Sequence, residues 1–391
     1  MIFDYLYNII SRGSGFLVKW LLNVVFSTLL LTSDYGIYTY YMSVAYIITS
    51  LLLFGFEIFI LNKSRNKDDN GEINFYLIQT VYIVLLISLI IFPFSQSLSI
   101  LVLSISISQL FIVYSKALNN FKLETKGSFI SIFIICLLMF LANTYASSFE
   151  IKLKLSLIIA ATSILVCSVP SMMLFYSESK KLGSQSSLRP QLNIFNQYNE
   201  RKAYGFHELA SVANQHIFVI ICASVLSFSD LGVYKIGQLY LTPLMLIPAS
   251  MSQVLLKRLK GSSNSNKTFY VIITLAFSLF IAALLLLPVV KKFLWVGVNE
   301  DVVYVYVLYA LTLSVQIINV YVGSRLTIIN CQKERAKNSL ISFSFTVVSV
   351  LVLSINYGIV GVSVSLLMNY LLLMGLNCYS YEKNKHMYVR T

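Results

Sequence analysis

Apolar runs of about 20 residues follow one another along nearly the whole chain, and each can cross the roughly 30 Å of hydrocarbon in a bilayer as one helix. Inside lipid a backbone must satisfy its own hydrogen bonds, so such runs become helices. Twelve spans are expected, at 9–32, 36–61, 75–95, 97–116, 127–147, 155–177, 202–228, 231–256, 268–290, 302–324, 337–355 and 358–381. With 57% hydrophobic and 12% charged residues, there is too little polar surface to coat a soluble domain of 391 residues. The chain belongs in a bilayer.

The connections divide by charge. Those at 62–74, 116–127, 178–202, 257–267 and 325–337, with the tail after 381, hold 22 of the 29 Lys and Arg; the intervening ones hold four. The positive-inside rule puts the basic loops and both termini in the cytoplasm. A net charge of +13 could suggest nucleic acid, but these cations are spread as topology signals rather than gathered on one stacking face.

A hexapeptide appears twice. Ser33-Asp34-Tyr35-Gly36-Ile37-Tyr38 and Ser229-Asp230-Leu231-Gly232-Val233-Tyr234 lie about half a chain apart, each between the first and second spans of a set of six. Two similar halves that both start in the cytoplasm suit a carrier working by alternating access. The expected architecture is an all-α integral membrane protein of about 12 spans, in two pseudo-symmetric six-helix bundles around a central cavity. Its bundles are 1–177 and 202–391, joined by a cytoplasmic linker at 178–201. Gly36, Gly232 and Gly358 are expected in tight turns needing positive φ, Asp34 and Asp230 as helix caps, and Tyr38 and Tyr234 as membrane-interface anchors.

Other classes find no support. Cys136, Cys167, Cys222, Cys331 and Cys378 are scattered without CxxC or Cys/His spacing, so no metal, cofactor or disulfide is expected. The first residues, MIFDYLYNII, carry no basic region or small-residue cleavage site, so a cleaved signal peptide is not expected. Walker, HExxH and Gly-x-Ser-x-Gly motifs are missing. A polysaccharide polymerase would display a sizeable outer loop, whereas the longest loop here is cytoplasmic.

At the glycine motifs the chain resembles polysaccharide exporters of the O-antigen flippase type, in the superfamily that also holds multidrug extruders and peptidoglycan-precursor flippases. The residues are Asp34-Tyr35-Gly36-Ile37-Tyr38, Leu53-Phe54-Gly55-Phe56-Glu57, Asp230-Leu231-Gly232-Val233-Tyr234 and Asn356-Tyr357-Gly358-Ile359-Val360-Gly361, at matching topological positions. The resemblance implies a carrier, not an enzyme, that moves an undecaprenyl-diphosphate-linked oligosaccharide to the periplasmic leaflet. It further implies coupling to protons, sodium or the membrane potential, and contact with polymerase and chain-length machinery. A drug/cation antiporter of the same superfamily is the alternative.

Charges inside spans are costly and mark cavities or pairs. Lys19 lies about 18 Å below the outer end of span one, near the midplane, and Arg12 lies on the same face about 28 Å down. In span seven His216 is level with Lys19, beside Asn214 and Gln215. These five are the substrate-site candidates, Lys19 foremost, because a cation in a low-dielectric cavity suits a diphosphate. Glu57, expected to neutralise Arg12, joins Glu208 and His207 as candidates for charge pairing or ion coupling.

Overall fold

The computed structural model describes residues 2–63, 70–118, 120, 122–145, 149–182, 194–248, 265–294, 300–329 and 331–388. The helices are α1 (Ile2–Leu29), α2 (Thr32–Leu53), α3 (Phe56–Lys63), α4 (Asn70–Ile91), α5 (Gln96–Ala117), α6 (Lys122–Tyr145), α7 (Phe149–Leu182), α8 (Ile194–Val225), α9 (Phe228–Leu239), α10 (Ser265–Leu294), α11 (Asp301–Ile328) and α12 (Gln332–Tyr388). A 3₁₀ turn, Thr242–Met245, follows α9. Among the described residues there is no strand. Among the described residues seven helical stretches are long and apolar enough to cross a membrane.

The chain forms two compact units, Met1–His216 and Ile217–Thr391. In the first, α7 packs on α5 and α6, α1 lies on α6, and α5 also receives α2 and α4. Small hydroxyl residues line these contacts: Ser106 Oγ donates to Thr49 Oγ1 at 3.1 Å, and Ser131 Oγ to the Ser163 carbonyl at 2.7 Å. In a bilayer the apolar faces are already solvated by lipid tails, so close small-residue packing and hydrogen bonds do the joining.

In the second unit α11 receives α9, α10 and α12. The α10–α11 seam buries Ile272, Ala276, Ile317 and Tyr321, and Tyr306 Oη donates to the Ala283 carbonyl at 2.9 Å. Asn319 accepts from Asn377 at 2.9 Å. Asn377 in turn accepts from Asn338 at 3.0 Å, and Asn338 also donates to Ser380 at 2.9 Å. Asn377→Ala would take away the donor to the Asn319 carboxamide oxygen and leave the Asn338 amide with Ser380 alone, and membrane hydrogen bonds contribute about 0.6 kcal/mol on average. A loss of about 1–2 kcal/mol is expected, read as a lower thermal midpoint in detergent. An unchanged midpoint would show the network to be dispensable.

Three expectations about the repeated hexapeptide are corrected. Gly36 and Gly232 sit inside α2 and α9 rather than in turns, and neither is among the positive-φ residues. The reversal happens one turn earlier, at Leu31 (φ −60, ψ 152) and Ser227 (φ −69, ψ 156), equivalent positions of the repeat whose extended backbone any residue can adopt. Asp34 is not the cap of α2, whose N-cap residue Leu31 makes no side-chain bond. At the second copy Ser227 is the cap, accepting from the Asp230 N–H at 3.1 Å while donating to the Asp230 carboxylate at 2.7 Å. Tyr38 and Tyr234 are not interface anchors, being 1% and 2% exposed. Tyr38 meets Phe26 edge-on at 4.9 Å, gluing α1 to α2.

Gly358 has the special backbone its turn was expected to need, at φ 56, ψ −139, a combination open to glycine and closed to residues with a Cβ. Here α12 doubles back on itself. The Asn338–Asn377 and Asn338–Ser380 bonds join its two arms.

Candidate functional site

Spans one and two place the first elements of the site. On α1, Gly15 and Lys19 share a face one turn apart. Gly15 lets α1 approach α6 so closely that a Cβ there would meet Glu124 Oε1 at 3.1 Å. Glu124 is 7% exposed and pairs with Lys116 of α5 at 3.1 Å. Lys19 lies within electrostatic range of that carboxylate. Among these three groups two are cations and one an anion, and the Glu124 charge is engaged by Lys116, so the patch carries a net positive charge.

The Lys19 ammonium turns toward α2. It hydrogen-bonds the Tyr46 hydroxyl and lies 5.1 Å from the Tyr46 ring centroid. Lys19 as a whole residue is nevertheless exposed. Tyr46 also meets His216 of α8, ring on ring, at 4.9 Å and 19°. The His216 Nδ1 is 3.2 Å from Ser43 Oγ, one turn before Tyr46 on α2. Lys19 and His216, level by helix arithmetic, therefore meet through one phenol. Sequence reasoning missed Tyr46. Its signal was a polar stripe in an apolar helix, Thr39, Ser43, Tyr46 and Ser50, at helical spacing.

The remaining candidates divide. The side chains of Arg12, His207, Asn214 and Gln215 lie outside the described residues, as does 183–193 of the linker. Glu57 stands in the field of another acid: Glu208, on α8, feels the Glu57 charge and accepts from the backbone N–H of Gly55. The acids thus gather where expected span two breaks into α2 and α3.

Beside that break lies a cation missed by sequence reasoning. Arg201, assigned there to a cytoplasmic loop, is 1% exposed. Its guanidinium lies 4.9 Å from the Phe56 ring, 5.3 Å from Phe59 and 5.8 Å from Tyr76, and both terminal nitrogens are 3.4 Å from Thr80 Oγ1. A delocalised, weakly hydrated cation is the one suited to an aromatic cage. Tyr198, one turn before it, has its phenol pushed up by burial and pulled back in part by the Arg201 charge, so it is a neutral O–H donor.

No family model and no curated protein matches this sequence. Solved structures do match. The lipid II flippase MurJ in its inward closed conformation superposes with a TM-score of 0.69 at 14% identity, over 98% of this chain and 88% of that one. The Vibrio cholerae MATE transporter VcmN in the bent form gives 0.58 at 11% identity, over 99% and 95%. An inward-facing multidrug resistance MATE transporter of the MOP superfamily gives 0.58 at 13% identity, over 99% and 95%. At such identities the likeness is one of fold, and the proteins that share it are flippases and transporters.

Proposed function

We propose that this protein is a flippase for an undecaprenyl-diphosphate-linked oligosaccharide, an O-antigen or capsule repeat unit, carried between leaflets by alternating access. The reading rests on one observation above all: an exposed lysine in a membrane helix, held by Tyr46 beside His216. A cation in such surroundings is costly unless an anion joins it, and a diphosphate brings at least two negative charges. Lys19 binds the diphosphate, Tyr46 orients the ammonium, and Ser43 fixes the His216 ring. Arg12, Asn214 and Gln215 are further contacts in this reading. The prenyl tail stays in lipid, and both termini face the cytoplasm of the inner membrane.

The drug-antiporter alternative calls for an acidic binding centre. Glu57 and Glu208 supply acids at the helix break and are assigned to charge pairing or ion coupling, while the acid in range of Lys19, Glu124, is engaged by Lys116.

Thermal stabilisation of the purified protein in nanodiscs separates the two. Undecaprenyl diphosphate is expected to raise the midpoint, undecaprenyl monophosphate to raise it less, and a cationic drug to leave it unmoved. A ligand present at 100 times its Kd stabilises by about 2.7 kcal/mol. Stabilisation by the cation alone would sink the flippase reading.

His216 carries the proton-linked part of the proposal. His216→Ala is expected to flatten the dependence of transport on pH. A profile identical to that of the unmodified protein would assign His216 to packing alone.

A further inference from the structure

The break between α2 and α3 is not written into the local sequence. Phe54 sits in the left-handed region at φ 33, ψ 69, followed by Gly55 at φ 76. Glycine takes such angles readily. Phenylalanine does not, and in an apolar run a right-handed helix is the cheaper course for it.

The distorted residue is held from outside, by α8. The Phe54 ring stacks on Tyr198 at 5.7 Å and meets Phe206 edge-on at 5.4 Å. It covers Gly205 so closely that a Cβ there would stand 2.5 Å from Phe54 Cδ1. Breaking a helix also strips backbone groups of their partners, and those groups must be satisfied. A continuous helix would send the Gly55 N–H to the Leu51 carbonyl and the Phe56 N–H to the Leu52 carbonyl. Here the Glu208 carboxylate accepts from the Gly55 N–H, and Tyr198 Oη donates to the Leu52 carbonyl at 3.0 Å. Beyond the break, Arg201 of the same helix lies against Phe56 and Phe59 of α3.

One face of α8 therefore supplies the substitute donor, the substitute acceptor, the ring platform and the clearance. We infer that α2 and α3 form a two-state element: bent at Phe54–Gly55 while the 198–208 stretch of α8 is docked, and a single straight helix once that stretch withdraws. Withdrawal would remove both substitute partners and release Phe54 to the right-handed region. The Gly55 N–H would then return to the Leu51 carbonyl, and the Leu52 carbonyl would accept from the Phe56 N–H. Movement of α8 is thereby converted into straightening of α2, a bistable response of the kind that switching elements show. The inference needs no particular substrate and is independent of the flippase reading.

Spin labels on either side of the bend test it. The five native cysteines are replaced by alanine, and cysteines are introduced by Met42→Cys and Leu61→Cys. In a straight helix their backbones would be about 28 Å apart. The otherwise unmodified protein in nanodiscs is expected to give a shorter, bent distance. Gly205→Ala, which drives a methyl into the Phe54 ring, and Glu208→Leu, which removes the acceptor, should each move the ratio of straight to bent forms by about tenfold or more. Glu208→Gln keeps an acceptor oxygen and should stay bent. Adding Phe54→Gly to Gly205→Ala removes the clashing ring and makes the left-handed backbone cheap, so the bent distance should return. A straight distance before mutation, or a bent distance retained in both Gly205→Ala and Glu208→Leu, would overturn the inference.

Discussion

Export through Lys19→Ala is expected to fall on the order of 100-fold, the cost of withdrawing one charged partner from a desolvated ion pair. Protein inserted in the membrane should be undiminished, because Lys19 is exposed and its removal opens no core cavity. Lys19→Arg should recover part of the activity. It restores the charge, but its planar fork does not reproduce a compact ammonium hydrogen-bonded to the Tyr46 hydroxyl. The measurement is polysaccharide at the cell surface in a strain that depends on this protein, normalised to protein in the membrane fraction. Full export by the alanine variant would remove Lys19 from the site and leave the net positive patch around Glu124 without a ligand-binding role.

Arg201→Ala should instead strike stability. The side chain is 1% exposed, its guanidinium faces Phe56, Phe59 and Tyr76, and truncation leaves an open volume among three rings. Lost cation–π contacts and the cavity together should cost about 3 kcal/mol. Arg201→Lys should recover less than half of that, because the ammonium must shed a tighter hydration shell and cannot spread over several ring faces. Thermal unfolding in detergent reads both variants, and equal midpoints for the unmodified and alanine proteins would refute the cage as a stabilising feature. The two predictions separate cleanly: the lysine variant should fold and fail to export, whereas the arginine variant should lose stability first.

Much of the architecture was legible in the chain because a bilayer leaves few choices. A run of about 20 apolar residues can do little except form a helix, and segment length sufficed to place α1, α4–α8 and α10–α12 within several residues. The doubled hexapeptide marked equivalent helix starts, and the turns at Leu31 and Ser227 share nearly the same backbone angles. What it did not reveal was the conformation inside the repeat. Glycine permits a left-handed turn without requiring one, so Gly36 and Gly232 were free to stay helical.

The site was legible only in depth. Counting residues at 1.5 Å each put Lys19 and His216 at one level, but which side chains meet at that level depends on how each helix is rotated about its axis. That rotation is settled by packing between helices, and it is packing that brought Tyr46 between the two. Arg201 shows the same limit from the other side: its position beside a basic linker predicted a solvated topology signal, and only the neighbouring rings of α3 and α4 made it a buried residue. The break at Phe54–Gly55 lies furthest from the sequence of all. Phenylalanine prefers a helix there, and α8 overrides it by offering the peptide groups other partners. Segment length and charge thus determined what enters the membrane, because desolvating a peptide bond is costly wherever it occurs. Which polar groups face one another was decided by tertiary structure, because the energy of those contacts depends on residues distant along the chain.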